Sequence, residues 1–384
     1  MRNESTRSSV EMFHVMDVLA ASAQRVAEGR DVLSLAAGQP STPAPAAVRA
    51  AAHAALDTEI LGYTESVGLA SLRATIAADY ARRYGISVDV DDVVITTGSS
   101  GAFTLLFLAA FDAGDTVVMA RPGYPAYRNT LSALGVRVVE LDCGPQVGYR
   151  LTAAMLDELT EPPAGVIVAS PANPTGTILH PEEIAELARW CDDHDTLLIS
   201  DEIYHGISYG RATSCAWETS RQAAVVGSVS KYHSMTGWRL GWMLVPAHLR
   251  RPVERLTANM TICAPVISQY AALAAFGDEA RTELDAHVAR YATNRAVLLE
   301  GLADCWLTEI APPDGAFYIY ADISHLTDDS LSWCESVLAE TGVAIAPGVD
   351  FDTVTGHQTI RMSFAGSTET VRAALARLEP VLTR

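Results

Sequence analysis

The sequence predicts an α/β fold built on a mainly parallel, seven-stranded sheet, and three observations support this fold class. Seven short runs rich in β-branched and other apolar residues occur between residues 93 and 245. Amphipathic helical patterns, such as AFTLLFLAAF and PEEIAELARWCDDH, lie between several of these runs. The runs are apolar at consecutive positions, which indicates strands that helices cover on both faces. In chain order the predicted strands are VVIT, TVVMA, VRVVEL, GVIVAS, TLLIS, AAVVGS and LGWMLV.

The pattern changes near residue 285, where the run ELDAHVARYATNRAVLLEGL predicts a long helix. Three strand runs follow it, with one helical segment among them and a last helical run, TVRAALARLEPVL, at the end. We therefore predict a large domain over residues 46–285, and a smaller α+β domain formed by residues 1–45 and 286–384. The strand runs of the smaller domain are AFYIYADI, VAIAPG and TIRMSFA.

Composition limits the class of partner. The chain has 384 residues, of which 49% are hydrophobic and 19% charged, as is typical of folded soluble proteins. Its formal net charge of −19 argues against nucleic acid or an anionic membrane as the main partner. Neither a membrane span nor a signal peptide is recognisable, and the six cysteines are scattered without a zinc-like cluster. We expect a cytoplasmic protein with reduced thiols and no metal site.

The residues that follow each predicted strand are candidates for a binding site, because ligands of such sheets bind beyond the carboxyl ends of the strands. Ser99 and Ser100 follow VVIT in the segment TGSSGAF, which leads into a helical run. Backbone N–H groups in such a turn, together with the positive end of the helix, suit a phosphate. An ordinary tight turn explains the same residues equally well.

Two further strands are followed by polar side chains. PANPTG follows GVIVAS, and its prolines make a rigid loop that holds Asn173 at the end of the strand. Asp201 follows TLLIS, and Tyr204 comes three residues later. A buried carboxylate is costly unless it meets a cation, so a salt-bridged structural role is the alternative for Asp201.

Lys231 is the only lysine of the chain, since the other 26 of the 27 basic residues are arginines. High-GC coding would explain the scarcity of lysine. Lysine can, however, lose its proton and attack a carbonyl group, which arginine cannot do. Ser228 precedes it by three residues and Arg239 follows it by eight, forming a hydroxylic and cationic patch. An amine, a carboxylate and a phosphate site at one sheet edge match the needs of pyridoxal phosphate.

A resemblance to a known family covers nearly the whole chain and rests on eight segments: LAAGQP, LGYTESVGLASLR, TTGSSGA, RPGYPAY, SPANPTG, SDEIY, SVSKYHSMTGWRLGW and IRMSFA. In this order and spacing the sequence resembles the fold-type I, pyridoxal-phosphate-dependent aminotransferases of class I/II, the aspartate aminotransferase superfamily. The resemblance implies an enzyme that moves an amino group between an L-amino acid and a 2-oxo acid, with pyridoxal 5'-phosphate as cofactor.

The resemblance also implies roles for individual residues. Lys231 would form a Schiff base with the cofactor and move a proton between substrate and cofactor. Asp201 would pair with the pyridine nitrogen and keep it protonated. Tyr204 and Asn173 would hydrogen-bond the phenolic oxygen of the ring, and Tyr124 would stack on the ring face. Of these residues, Lys231, Asp201 and Tyr204 are the predicted catalytic ones.

Further residues are implied to bind the phosphate, namely Ser99, Ser100, Ser228 and Arg239. Tyr63 corresponds to a tyrosine that reaches the phosphate of the neighbouring subunit, which implies a homodimer with shared active sites. Arg361 would bind the substrate α-carboxylate through its planar fork, beside Asn173 and the backbone of Gly38. Arg128 and Arg255 are the candidates for a second arginine that would bind a distal carboxylate, and nothing in the sequence supports either.

The sequence leaves several alternatives open. The same scaffold supports lyase, cyclase and oxidase reactions of amino acids, because fold does not fix reaction. A non-catalytic scaffold is disfavoured, since Lys231, Asp201 and Arg361 are all present. His233 and the polar loop over residues 257–269 depart from the family pattern, through neutral drift or an unusual substrate. Met12 and Phe13 either form an apolar wall of the pocket or pack within the small domain.

Overall fold

Apolar strands and amphipathic helices alternate along the chain in the structure, a computed structural model that describes residues 4–384. The first three residues, part of the predicted small domain, lie outside the described residues. The helices are α1 His14–Ala27, α2 Ala46–Thr58, α3 Ala70–Tyr84, α4 Gly98–Ala110, α5 Pro125–Leu134, α6 Ala153–Asp157, α7 Pro181–Asp193, α8 Ala247–Met260, α9 Val266–Ala275, α10 Asp278–Asp304, α11 Ser330–Thr341 and α12 Thr368–Leu382. The strands are β1 Leu33–Ser34, β2 Val93–Thr96, β3 Thr116–Arg121, β4 Arg137–Asp142, β5 Gly165–Ala169, β6 Leu197–Asp201, β7 Ala224–Ser228, β8 Gly241–Leu244, β9 Tyr318–Asp322, β10 Val343–Ala344, β11 Ala346–Pro347 and β12 Thr359–Ser363.

The central sheet has seven strands in the order β2-β8-β7-β6-β5-β3-β4. Strand β8 runs antiparallel to both of its neighbours, and the other adjacent pairs are parallel. Each of the seven predicted runs supplies one strand. The predicted α/β fold with a mainly parallel, seven-stranded sheet is therefore confirmed.

Successive residues of the central strands face opposite sides of the sheet and enter two separate hydrophobic cores. In β3, for example, Val117 and Met119 belong to one core, whereas Val118 belongs to the other. The first core continues into α10 and the strands of the C-terminal region. This burial on both faces explains why the strands are apolar at consecutive positions.

The C-terminal region contains a three-stranded antiparallel sheet in the order β11-β12-β9, and β10 pairs with β1 in a parallel ladder. The pattern of VAIAPG predicts one strand, but Ile345 divides it into β10 and β11, which belong to different sheets. The predicted domain boundary at residue 285 falls inside the continuous helix α10, and the division into domains stays a prediction.

The structure also describes the cysteines and the apolar character of the helices. All six cysteines are free thiols, and five of them are buried. Within residues 4–384 no helix combines the length and the apolar character that a bilayer crossing requires.

Candidate active site

A cavity of about 590 Å³ opens at the carboxyl ends of the central strands, between the sheet, the N-terminal segment and the C-terminal region. Ten of the twelve predicted site residues line it. They are Gly38, Ser99, Ser100, Tyr124, Asn173, Asp201, Tyr204, Lys231, Arg239 and Arg361. The position of residues directly after the strands therefore indicates where the cavity lies.

Lys231 follows β7 and projects into this cavity, where its Nζ donates a hydrogen bond of 2.6 Å to the Gly38 carbonyl oxygen. Burial, followed by the neighbouring Arg361, lowers the pKa of Lys231 to about 8, while Asp201 opposes the shift. A larger fraction of this amine is unprotonated near neutral pH than for an ordinary lysine, which makes it a better nucleophile. A residue larger than glycine would not fit at position 38, because its Cβ would overlap the Tyr318 hydroxyl.

Asp201 ends β6 and is only 3% exposed. Its carboxylate accepts hydrogen bonds from the Tyr127 hydroxyl and from the Ile203 backbone N–H, the latter at 3.1 Å. Burial raises the pKa of Asp201 to about 6, although both hydrogen bonds and the charge of Lys231 oppose the shift. No arginine or lysine among the described residues forms a salt bridge with Asp201, so the alternative of a salt-bridged structural role is not found.

A group of tyrosines lies around Asp201 and Lys231. The Tyr204 and Tyr318 hydroxyl groups share a hydrogen bond of 2.6 Å. The Tyr124 ring contacts the Tyr127 ring edge-on, with centroids 5.3 Å apart. Burial raises the pKa of Tyr204 far above its ordinary value and that of Tyr124 to about 12, so both stay protonated near neutral pH.

The start of α4 and Arg239 form an anion site at one end of the cavity. Helix α4 begins at Gly98 in the left-handed region (φ 69°), where a Cβ would lie 2.6 Å from Arg239 Nη2. Ser99 and Ser100 occupy the first turn of this helix. The Arg239 side chain donates to the Thr236 carbonyl oxygen and pairs with no carboxylate among the described residues. The helix end, two hydroxyl groups and one guanidinium could together hold a phosphate group.

Arg361 in β12 is 2% exposed and has no carboxylate partner among the described residues. Its guanidinium donates to Asn173 Oδ1 at 2.9 Å and to the Ala36 carbonyl oxygen at 2.7 Å. The rings of Tyr318 and Phe351 lie 4.5 and 4.6 Å from its Cζ atom. A buried cation without a counterion is costly, which favours an anionic ligand at this position.

Two predicted site residues do not line the cavity. Ser228 is buried and donates to the Ser230 hydroxyl at 2.9 Å, and Ser230 lines the cavity in its place. Tyr63 is 82% exposed, in the loop between α2 and α3, where it borders a surface groove together with Thr97 and residues 261–267.

Sequence reasoning missed Tyr127 and Tyr318. Tyr127 belongs to the segment RPGYPAY and lies in the first turn of α5, three residues after Tyr124, whose ring it contacts. Tyr318 carries no local signal, because its partner Tyr204 is 114 residues away in the chain. An apolar wall of the cavity is formed by Phe13, Val15, Met16 and Leu19. Phe13 also packs against the C-terminal region, whereas Met12 is 62% exposed and does not line the cavity.

The departures from the family pattern lie elsewhere. His233 packs among the rings of Tyr232, Trp242 and Phe276 and does not line the cavity. Burial and the charge of Arg83 lower the pKa of His233 to about 3. The segment 257–269 spans the end of α8 and the start of α9, beside Tyr63.

Neither candidate for a second carboxylate-binding arginine lines the cavity. Arg128 pairs with Glu140 at 2.9 Å and donates to the Asp350 carbonyl oxygen. Arg255 lies in α8 with an exposed side chain.

A nucleophilic amine and an anion site at the carboxyl ends of the central strands share one cavity with a buried arginine of the C-terminal sheet, a combination that suits an enzyme acting on amino acids. The family of class I and II aminotransferases matches residues 30–378, so the chain belongs to this family. It is 58% identical over 374 residues to a valine–pyruvate aminotransferase of Mycobacterium tuberculosis, covering 97% of this chain and 96% of that protein. The chain is thus an aminotransferase that transfers amino groups between amino and keto acids, as predicted.

Solved structures agree with this assignment. A crystal structure of an aminotransferase from Mycobacterium tuberculosis has a TM-score of 0.98 and 57% identity, covering 100% of this chain and 99% of that chain. Aspartate aminotransferase from Thermus thermophilus with maleate has a TM-score of 0.94 and 31% identity, covering 99% of this chain and 100% of that chain. The predicted membership of the fold-type I superfamily is confirmed.

Proposed function

We propose that this aminotransferase uses pyridoxal 5'-phosphate to move the amino group of an apolar L-amino acid, such as valine, to a small 2-oxo acid, such as pyruvate. The observation that carries the proposal is the placement of Lys231 and the buried Arg361 on one cavity with an apolar wall. Valine and pyruvate are the substrates in the name of the relative that is 58% identical to this chain.

The residues present fit the cofactor. The start of α4 with Ser99, Ser100 and Arg239 would hold the phosphate, because this anion site contains no carboxylate of its own. Asp201 would pair with the ring nitrogen, which supplies the cation that this buried carboxylate lacks in the protein. Tyr204, Asn173 and Tyr124 would contact the ring oxygen and the ring face. When bound, pyridoxal phosphate supplies an aldehyde that reacts with amines and a ring that accepts electrons.

The protein side chains would transfer the proton and orient the substrate. Lys231 would hold the cofactor through its amine and then take and return the proton at the substrate Cα, a task suited to its pKa of about 8. Asp201 is ionised above about pH 6 and would keep the ring nitrogen protonated. Arg361 and Asn173 would orient the α-carboxylate and thereby place the Cα hydrogen near Lys231 Nζ.

The cavity favours an apolar substrate side chain. Among the described residues its cationic lining consists of Lys231, Arg239 and Arg361. With Arg239 at the phosphate and Arg361 at the α-carboxylate, no arginine of this lining remains for a second carboxylate. An aspartate side chain would then be buried without a counterion, which is costly. The apolar residues of α1 would instead contact an aliphatic side chain.

Exposed apolar residues and free cysteines bear on the oligomeric state and the cellular location of the protein. Tyr63 and Ile60, three residues apart in the chain, are 82% and 99% exposed, and exposed apolar residues close together are typical of an interface. We propose a homodimer in which Tyr63 reaches the phosphate site of the neighbouring subunit. Six free cysteines support a reducing, cytoplasmic location.

The cofactor spectrum tests the proposed reaction. Mixing the purified holoenzyme with L-valine without oxygen should remove the visible absorption of the bound cofactor, and pyruvate should restore it. L-Aspartate should react far more slowly than L-valine. Ammonia or peroxide release without recovery by pyruvate would support a lyase or oxidase instead.

A further inference from the structure

The N-terminal end of α1 is capped by a carboxylate from the far end of the chain. The residue that precedes α1, Phe13, has no side-chain cap of its own. Asp350 Oδ1 accepts from the His14 N–H and Oδ2 accepts from the Val15 N–H, each at 2.8 Å. The opening N–H groups of a helix lack partners within it, and here a buried side chain, 2% exposed, satisfies two of them.

The capped end of α1 carries the apolar wall of the cavity. Phe13 precedes the helix, and Val15 and Met16 lie in its first turn. The Phe13 ring meets the Tyr124 ring edge-on, with centroids 6.2 Å apart. The two hydrogen bonds therefore fix the part of the wall that lies next to Tyr124.

The backbone around Asp350 is held in place by contacts with other parts of the chain. It belongs to a 3₁₀ turn over Gly348–Asp350, and Arg128 donates to its carbonyl oxygen at 3.2 Å. The next residue, Phe351, accepts from the Gly123 N–H at 2.8 Å and places its ring against Arg361. Asp350 and Phe351 thus connect the first turn of α1, the segment before Tyr124 and the arginine proposed to bind the substrate.

We infer that Asp350 is a positioning residue for recognition of the substrate side chain, acting through the N-terminal end of α1. The inference rests on the proposed function in taking the cavity as the substrate site. Without the carboxylate, two N–H groups lose their acceptor and the first turn of α1 frays. Substrates with a branched side chain then lose contacts, whereas alanine, the aminated form of pyruvate, has little side chain to lose.

Asp350→Asn tests this inference in the holoenzyme, because asparagine keeps the volume but only one acceptor oxygen. We expect kcat/KM for L-valine to fall about tenfold, and kcat/KM for L-alanine to change much less. The visible absorption of the bound cofactor should be unchanged. Asp329→Asn is the matched control, since Asp329 caps the exposed start of α11 and should leave the valine-to-alanine ratio as it is.

Hydrogen exchange of the same two holoenzymes gives a second reading that needs no turnover. Asp350→Asn should exchange faster in the peptide covering residues 13–20, and Asp329→Asn should not. Equal losses for valine and alanine, or unchanged exchange over residues 13–20, would overturn the inference. If the wild type uses neither amino acid, the proposed function fails, and the exchange result still decides whether Asp350 orders α1.

Discussion

Lys231 Nζ and the carbonyl oxygen of Gly38 are joined by a hydrogen bond of 2.6 Å across the cavity. This bond links the end of β7 to the N-terminal segment, 193 residues earlier in the chain. It holds the amine beside the cavity without placing a fixed negative charge on it. Burial and the charge of Arg361 lower the pKa of Lys231 to about 8, so both its protonated and unprotonated forms are populated near that pH.

The pKa of Lys231 should be measurable directly in the apoprotein, because the chain has no other lysine. Labelling with an amine-specific reagent at a series of pH values, quantified on the proteolytic peptide that contains Lys231 so that the α-amino group is excluded, should give a midpoint near 8 and not near 10.5, the ordinary value. Arg361→Gln should raise this midpoint, since the Arg361 charge lowers the pKa of Lys231. Arg255→Gln, on the exposed face of α8, serves as the control and should leave it unchanged. An unshifted midpoint in Arg361→Gln would show that the two groups do not interact.

Asp201→Asn should abolish most activity and change the pH dependence of apoprotein stability. The folded pKa of Asp201, about 6, lies above the ordinary 3.8, so the folded state binds more protons between these values. The stability that Asp201 contributes is thus present at low pH and lost as the pH rises through about 6. Asparagine does not titrate.

The free energy of unfolding of Asp201→Asn, relative to wild type, should therefore increase by about 1 kcal/mol between about pH 5 and about pH 8. Urea unfolding of both apoproteins at these pH values measures the difference, and titrating groups that do not interact with Asp201 cancel. A difference that stays constant, or that decreases with pH, would contradict the raised pKa of Asp201.

Arg361→Lys should separate substrate binding from cofactor binding. Lysine keeps the charge but loses the planar fork and the contacts with the Tyr318 and Phe351 rings. We expect kcat/KM for the amino acid to fall about a hundredfold, because lysine cannot form the paired hydrogen bonds of the guanidinium fork and hydrogen bonds to charged groups contribute about 1.5–3 kcal/mol. The cofactor content should stay at the wild-type level. Loss of cofactor in this variant would show that Arg361 binds the cofactor and not the substrate.

Much of the fold and of the site is predictable from the sequence because the relevant signals are local. Strands buried on both faces are apolar at every position, so their runs stand out. Asp201, Lys231 and Asn173 each lie at or shortly after the end of such a run, and the carboxyl ends of parallel strands meet at one edge. For this reason these three residues line a single cavity, and the family resemblance adds others, such as Arg361, that the strand pattern alone does not indicate.

The remaining features depend on contacts between distant parts of the chain. Tyr204 meets Tyr318, and Asp350 caps a helix that begins 336 residues earlier. Ser230 lines the cavity and Ser228 does not, because the backbone directs the Ser230 hydroxyl inward. The sequence alone does not distinguish two serines that lie so close together. VAIAPG reads as one strand because its apolar pattern is continuous, although its two halves bond to different partners.

Lys231 should bind the cofactor covalently, and borohydride makes this bond permanent by reducing the Schiff base to a secondary amine. The holoenzyme is reduced with borohydride, digested and mapped by mass spectrometry, with Lys231→Arg as the control that keeps the charge. We expect one modified peptide, carrying the cofactor mass on Lys231, and none in Lys231→Arg. A reduced holoenzyme with an unmodified Lys231 would contradict the claim.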